Sequence, residues 1–454
     1  MSDWIDRVGA ALRGSQLLRL FSLLLFVLVL QIPVSMIGEL VGERQGRRDT
    51  ATADVSARWG QAQTLTGPAL VVPYAVHRET PGVAGAIQES TEIREAVFLP
   101  DQLRLRGDLH AEARSLGIFS VPVYNLDLVT EGVFTRPDFA ALGVAPGDVL
   151  WQRARLALGI SDSRAIQEGS TLQWNGAGTD FLPGSEGIPG ATAGIHADLA
   201  LADSDTNFTF SFPLRMNGSR ELFLTPFGRQ TEVELASNHA DPGFQGNWLP
   251  VERTVSDTGF TARWSIPYLG RNYPQAWLTG QAPADAVVAS RFGVRFISPV
   301  DHYRMAERSV KYAPLFILLT FATIWLFEVL AGLRIHAIQY LLLGSALCLF
   351  YLLELSLAEH LGFPLAYGLA AAAVVGMVAA YGYAMLHRAS RALALAAGVG
   401  LLYGYLYVLL GNEDVALVLG SLGLFLVLAG IMYATRKVDW YSIGARPGTR
   451  RDAQ

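Results

Sequence analysis

The chain has 454 residues, with 35 lysines and arginines against 40 aspartates and glutamates and a formal net charge of −5. That balance excludes a generally basic surface that coats nucleic acid. Its single cysteine, Cys348, lies inside an apolar run, which excludes an intrachain disulfide and a thiolate metal cluster.

The apolar residues gather in six stretches, 20–37, 312–333, 338–358, 363–386, 392–411 and 415–434. Each is long enough to cross ~30 Å of hydrocarbon at about 1.5 Å per helical residue. The fold class expected is therefore a membrane protein: a six-span α-helical bundle with a large, mainly β, sandwich-like extramembrane domain between spans 1 and 2. The segments are a cytoplasmic N-terminus at 1–19, the first span at 20–37, the periplasmic region with a helical stalk at 38–311, a five-helix bundle at 312–434 and a cytoplasmic tail at 435–454.

In chain order, the first span follows Arg7, Arg13 and Arg19 and reads as an uncleaved signal anchor. Gln31 and Pro33 interrupt its apolar core, and no small-x-small cleavage site precedes Glu39. Residues 49–63 look helical, continuing the membrane helix outward to Trp59, with Gly67 and Pro68 as the stop signal. Short runs rich in Val, Phe, Leu and Thr come next, at 69–76, 102–112, 121–134, 153–159, 195–201, 207–214, 230–235, 261–266 and 291–297. Leu103, Leu105 and Leu109 alternate with Arg104, Arg106 and Asp108, as in a half-buried antiparallel strand. Many short strands with Gly and Pro between them imply a sandwich or related two-layer sheet, of one domain or two. The stretch 175–194, with six glycines and two prolines, reads as a long loop.

Orientation follows from the cations. With the N-terminus inside, the cytoplasmic pieces carry Arg334, Arg388, Arg391, Arg436, Lys437, Arg446, Arg450 and Arg451, whereas the opposite loops 359–362 and 412–414 carry none. Both termini are thus expected in the cytoplasm. Arg44, Arg47, Arg48, Arg304, Arg308 and Lys311 flank the large domain on the other side, but long domains translocate largely regardless of charge. Arg436, Lys437, Trp440 and Tyr441 fit an interfacial anchor or a docking site for a cytoplasmic partner.

Chemistry is sparse. Glu328 and Glu354 lie inside apolar spans, where a charge is costly. They fall near opposite ends of consecutive spans, on the order of 15 Å apart along the membrane normal, too far for an acid–base dyad. Three readings stay open: hydrogen-bonded bundle glue, with Tyr403, Tyr405 and Tyr407 as expected partners, a proton or ion relay, or snorkelling. His336 and His360 fall in loops on opposite sides and complete no metal site. Gly176-Ala177-Gly178 lacks the third glycine of a dinucleotide fingerprint, and the Walker, zincin and Gly-x-Ser-x-Gly motifs are absent. His239 and Asp241, beside Pro242 and Gly243, read as a turn rather than metal ligands. Gly400 and Gly404 read as packing within the bundle. Arg58 with Trp59, and 301–311 beginning at Asp301, mark the two stalks that join the domain to its anchors, where they set its tilt or couple its strain to the bundle.

Several runs carry a resemblance: Arg58-Trp59-Gly60 with Gly67-Pro68, Tyr273-Pro274-Gln275-Ala276-Trp277, and 299–303 leading into Arg308-Ser309-Val310-Lys311-Tyr312. With 334–340, 356–363 and the closing 435–441, they are similar to the CreD family, in order over nearly the whole chain. Ala337 stands where the resemblance leads one to expect proline, which leaves the helix start after the loop less sharply defined. The resemblance implies a bacterial inner-membrane protein, induced by an envelope-responsive two-component system and linked to envelope integrity, colicin tolerance and β-lactam response. It supplies no catalytic residues.

The expectation is a non-enzymatic protein without cofactor or metal. Its partners are the lipid bilayer and envelope components or membrane proteins met by the periplasmic domain, with no nucleic acid. The candidate functional residues are Glu328, Glu354, Arg58, Trp59, Tyr273, Trp277 and Asp301. The alternative is a transporter or channel using the intramembrane carboxylates.

Overall fold

The computed structural model describes residues 16–81, 87–185, 187–201, 206–296, 301–331, 335–412 and 415–436. Arg334 and the expected anchor residues Lys437, Trp440 and Tyr441 lie outside them. The chain forms two compact units, Met1–Arg48 with Val300–Gln454, and Asp49–Pro299. These boundaries fall inside the 38–311 segment marked out by hydropathy, because the first two membrane helices run on past their apolar stretches.

The helices are α1 (Gln16–Trp59), a short α2 (Ala284–Ala289), α3 (His302–Ala331), α4 (Ala337–Leu361), α5 (Phe363–Leu386), α6 (Ala389–Gly411) and α7 (Ala416–Thr435). Among the described residues six of them, all but α2, are long and apolar enough to cross a membrane. Beyond its apolar part α1 continues as a charged helix, with Glu43 and Arg47 paired one turn apart at 2.6 Å. It ends at Trp59, as expected, but the expected stop signal Gly67-Pro68 is not what ends it. Gly60 there adopts φ +153°, and a Cβ on it would sit 2.9 Å from the Asn217 carbonyl oxygen. Gly67 and Pro68 instead lie within a strand, at a shift of register between Thr66 and Ala69.

In the membrane unit α3 starts ten residues before the expected Tyr312, because Asp301 caps it: its Oδ1 accepts from the backbone N–H groups of Tyr303 and Arg304. The start of α4 is sharp despite Ala337. His336 accepts from the Ile338 N–H, and Gln339 accepts from the His336 N–H, a reciprocal cap that needs no proline. Helices α4, α5 and α6 meet around an aromatic centre in which Phe350 lies 4.2 Å from Tyr403 and 5.2 Å from Tyr367, centroid to centroid. No described side chain of α7 is buried. It is tied to α6 by the Tyr405 hydroxyl, which donates to the Leu419 carbonyl and fits against the bare Cα of Gly423.

The other unit is two sheets. Among the described residues one has nine strands, running Pro242–Gly246, Phe292–Phe296, Glu221–Leu224, Gln63–Pro81, Ala154–Ile160, Gly194–Leu199 and Leu182–Pro183, with Ile87–Phe98 on Gln63–Pro81 and Ala276–Leu278 on Ile87–Phe98. The second has eight, running Glu252–Ser256, Gly259–Pro267, Gln230–Ser237, Gln102–Leu116, Phe119–Thr135, Asn207–Ser219, Thr171–Trp174 and Ala177–Asp180. The Leu103–Leu109 alternation does put alternate residues inside, but the strand is antiparallel only to Phe119–Thr135 and parallel to Gln230–Ser237. Side chains of both sheets share one core, from Leu65 through Phe134, Phe212 and Trp264 to Phe296, so the unit is a single domain. Stretch 175–194 is not one loop: it closes a hairpin at Asn175-Gly176, both at positive φ, and holds the strands Ala177–Asp180 and Leu182–Pro183.

Candidate functional site

Four side-chain links gather at the end of the membrane unit where α1 finishes its span and α3 begins. Arg48 of α1 binds Asp301 at 2.7 Å, with both side chains about three-quarters covered. Burial alone would raise the Asp301 carboxyl, but the Arg48 hydrogen bond and charge outweigh it and hold the group below the usual aspartate range. The Tyr303 hydroxyl donates to Glu359 at 3.0 Å, and Arg44 lies 3.6 Å from the same carboxylate. Arg308 donates to the carbonyls of Leu409 and Leu410, the last turn of α6, where a cation complements the helix dipole. Deeper in, Ser309 donates to Glu354 at 2.7 Å.

Glu328 sits at the opposite end of the α3–α4 pair and accepts from the Tyr340 hydroxyl at 3.2 Å. A cavity of about 140 Å³ adjoins it, lined also by Ser22, Phe26, Trp325 and Ile335. The two intramembrane carboxylates therefore belong to separate clusters. Neither takes the tyrosines expected from sequence: Glu354 pairs with Ser309 and Glu328 with Tyr340. The Tyr403 carbonyl instead accepts from Tyr367, and Tyr405 donates to Leu419. These partners come from α3 and α4 because those helices run antiparallel, which brings the start of each against the end of the other.

In the β unit the candidates separate. Arg58 is exposed, whereas the Trp59 indole N–H donates to the Tyr124 carbonyl at 3.4 Å and its ring lies 3.9 Å under the Arg114 guanidinium. Tyr273 and Trp277 are core residues, 7% and 2% exposed, set edge-on against Phe227. Buried Arg271 donates to the Pro226 and Phe227 carbonyls and to Gln275, and Tyr273 donates to the Pro226 carbonyl. Burial lowers the Arg271 pKa and raises that of Tyr273. These bonds staple the 226–227 and 271–277 segments together. His239 packs edge-on against Phe296. The open outer face of the eight-stranded sheet carries what the sequence search did not single out. A groove of about 560 Å³ lies there between Arg104, Glu131, Gln173, Thr209, Ser211 and Glu232, and a second of about 440 Å³ lies beside Arg106, Glu234 and Arg263. Arg104 bridges Glu131 at 3.1 Å and Glu232 at 3.3 Å across three strands.

The family model described as Inner membrane protein CreD matches residues 15–441. The chain belongs to the CreD family. It is also 31% identical over 425 residues to Inner membrane protein CreD of Escherichia coli (strain K12), covering 92% of each chain. Membership and the six apolar helices make this a multi-pass inner-membrane protein. Solved structures match far more weakly. An M1 zinc metallopeptidase from Deinococcus radiodurans is 10% identical with a TM-score of 0.18, over 37% of this chain and 38% of that one. Native yeast LTA4 hydrolase gives the same identity and TM-score over 49% and 35%. Likeness at that level carries no argument about fold or chemistry.

Within this CreD-family chain, then, the stalk residue Asp301 is joined to α1, Glu354 and Glu328 are joined to α3 and α4 partners, and Tyr273 and Trp277 are absorbed into the core. Arg104, Glu131 and Glu232 were missed as a surface feature. Their signal was the charge alternation along residues 102–109, which marks a solvated face but does not say what lies across it.

Proposed function

We propose that this protein is a non-enzymatic component of the inner membrane whose β unit lies in the periplasm, with both termini cytoplasmic, and binds envelope components there. Through that binding it contributes to cell-envelope integrity and to tolerance of colicins and β-lactams. The observation that carries the reading is the polar groove on the eight-stranded sheet. It is open, lined by paired Arg and Glu side chains with Gln, Ser and Thr between them, and large enough for a polar chain or a loop of a partner. The cation distribution of the short loops supports the orientation.

Deletion of the gene should change sensitivity to β-lactams or colicins, and the full-length chain should restore it. The R104A/E131A/E232A variant, made at normal abundance, should not. A chain lacking residues 65–298 and the β unit released without its helices should both fail. Rescue by the spans alone would sink the binding reading and favour transport through the bundle. Reporter fusions at Ala200, His360 and Asn412 should read periplasm, and one at Ser390 cytoplasm; the reverse pattern would overturn the orientation.

A further inference from the structure

Glu354 has no part in the binding reading above, and its surroundings are unlike those of the other carboxyls at its end of the bundle. Its residue is 0% exposed. Ser309 satisfies Oε2, while Oε1 has no hydrogen-bond partner. No lysine, arginine or histidine among the described residues forms an ion pair with it. The titratable groups that face it are phenols: Tyr351 on its own helix, Tyr367 on α5 and Tyr403 on α6, with the Ser309 hydroxyl on α3. Of these, the Tyr367 hydroxyl is already committed to the Tyr403 carbonyl at 2.6 Å.

Glu359, five residues further along α4, makes the contrast. It has Arg44 as counter-charge and Tyr303 as donor. An ionised carboxylate enclosed in a bundle without a cation is severely penalised, and a single serine hydroxyl does not offset the lost hydration. A neutral carboxyl keeps the serine bond and needs no counter-charge. The seam between α3 and α4 also dries inward: the Asp301 side chain is 25% exposed and that of Glu359 8%, whereas Glu354, about one and a half turns deeper than Glu359, is 0% exposed and meets Ser309 there.

We propose that Glu354 is a proton-binding site: neutral in the packed bundle, exchanging its proton with water that enters the α3–α4 seam from the Asp301–Glu359 end, with Ser309 coupling its protonation to the packing of the two helices. On release the carboxyl O–H bond breaks, the proton passes to a water molecule and the electron pair stays on the carboxylate. That carboxylate has one donor and no cation, so it persists only while the seam admits water. Reprotonation closes the seam, and alkalinity on that side favours the open form. Glu354→Gln fixes the neutral geometry and removes the exchange.

The test is infrared difference spectroscopy of the full chain in lipid nanodiscs. At neutral pH the wild type should show a protonated-carboxyl C=O band that is missing from E354Q. The band should shift to higher wavenumber in S309A, where the hydrogen bond is lost, should move on transfer to D₂O, and should fade as pH is raised. A wild-type spectrum equal to that of E354Q in the carboxylic-acid region would overturn the proposal, because the group would be ionised. A band that neither exchanges nor titrates while the protein stays folded would overturn it equally, leaving a buried structural acid. If E354Q does not accumulate, the S309A shift decides, and an unmoved band there places the protonated carboxyl elsewhere.

Discussion

Asp301 does two jobs with one carboxylate: it caps the first turn of α3 and it binds Arg48 of α1. Asp301→Ala removes both, and loss of the cap alone costs about 0.5–2 kcal/mol. Asp301→Asn keeps a capping oxygen while losing the charge, so its thermal midpoint in detergent should lie between those of wild type and D301A. An N variant no better than the alanine would show that the ion pair, and not the cap, sets the stability. The pH dependence has a definite sign. Because the folded carboxyl titrates below its unfolded value, its contribution is present above the ordinary aspartate range of about 4 and is lost only as pH falls through the folded value. The difference between wild type and D301A should therefore be flat from neutrality to about pH 5 and shrink in stronger acid. Half of this was legible in the sequence. Aspartate just before a helical run is a start signal, but a partner 253 positions away leaves no mark in a single chain. The same limit explains Tyr273 and Trp277, whose aromatic character reads equally as surface or core until Phe227 is seen beside them.

Elements were read well where their period was long and less well where they were short. All nine strand runs picked out from the sequence lie largely within observed strands, because each alternates or stays apolar over several residues. Two of the strands left out, Ala276–Leu278 and Glu221–Leu224, are too short for a period to develop and owe their pairing to neighbours remote in sequence, whereas Ile87–Phe98 is twelve residues long but polar over 89–92 and exposed over 89–93, so it shows no apolar alternation there. The hairpin at Trp174-Asn175-Gly176-Ala177 is a different case. Asn-Gly is a strong local turn signal, and it was masked by the glycine-rich composition around it. The end of α1 at Trp59 was legible, but the stop was credited to Gly67-Pro68, the louder breaker, while Gly60 works through a contact that sequence does not display. Gly60→Val tests this. A β-branched side chain must adopt φ +153° and meet the Asn217 carbonyl and the Ala165 methyl, so the β unit should lose about 1–3 kcal/mol. Urea unfolding measures it, and an unchanged midpoint would show that the helix terminus simply re-forms one residue on.

The whole molecule depends on where the β unit really begins, and one buried amide decides that. Gln63 is 0% exposed. Its side-chain nitrogen donates to the carbonyls of Asp162 and Asn217, and its oxygen accepts from the Ser161 hydroxyl and the Asp162 N–H. Four bonds join the first strand to the turn at Ser161-Asp162 and to the strand Asn207–Ser219, and Ser56 adds a hydroxyl contact to Ser219 at 2.8 Å. Hydropathy could not show this, since a single glutamine between a helical stalk and an apolar strand looks like linker. A fragment cut by hydropathy at 65–298 lacks Gln63, Ser56 and Trp59 and leaves the buried Asp162 N–H without its acceptor. Each such orphan costs about 1–3 kcal/mol. Expressed alone, residues 49–299 should form a soluble, mainly β domain, because a single core spans both sheets. The 65–298 fragment should fold to the same sheets but be less stable by at least about 2 kcal/mol, a fall in midpoint of about 4–8 °C for a domain of this size. Far-ultraviolet circular dichroism and thermal melts of the two fragments measure both claims. Equal midpoints would mean that the Gln63 network adds nothing net, because water serves those backbone groups as well. A helix-dominated spectrum from either fragment would overturn the β assignment itself. Gln63→Ala within 49–299 separates the network from the deleted helix: it should reproduce most of the loss if the amide is the cause and little of it if Ser56 and Trp59 are.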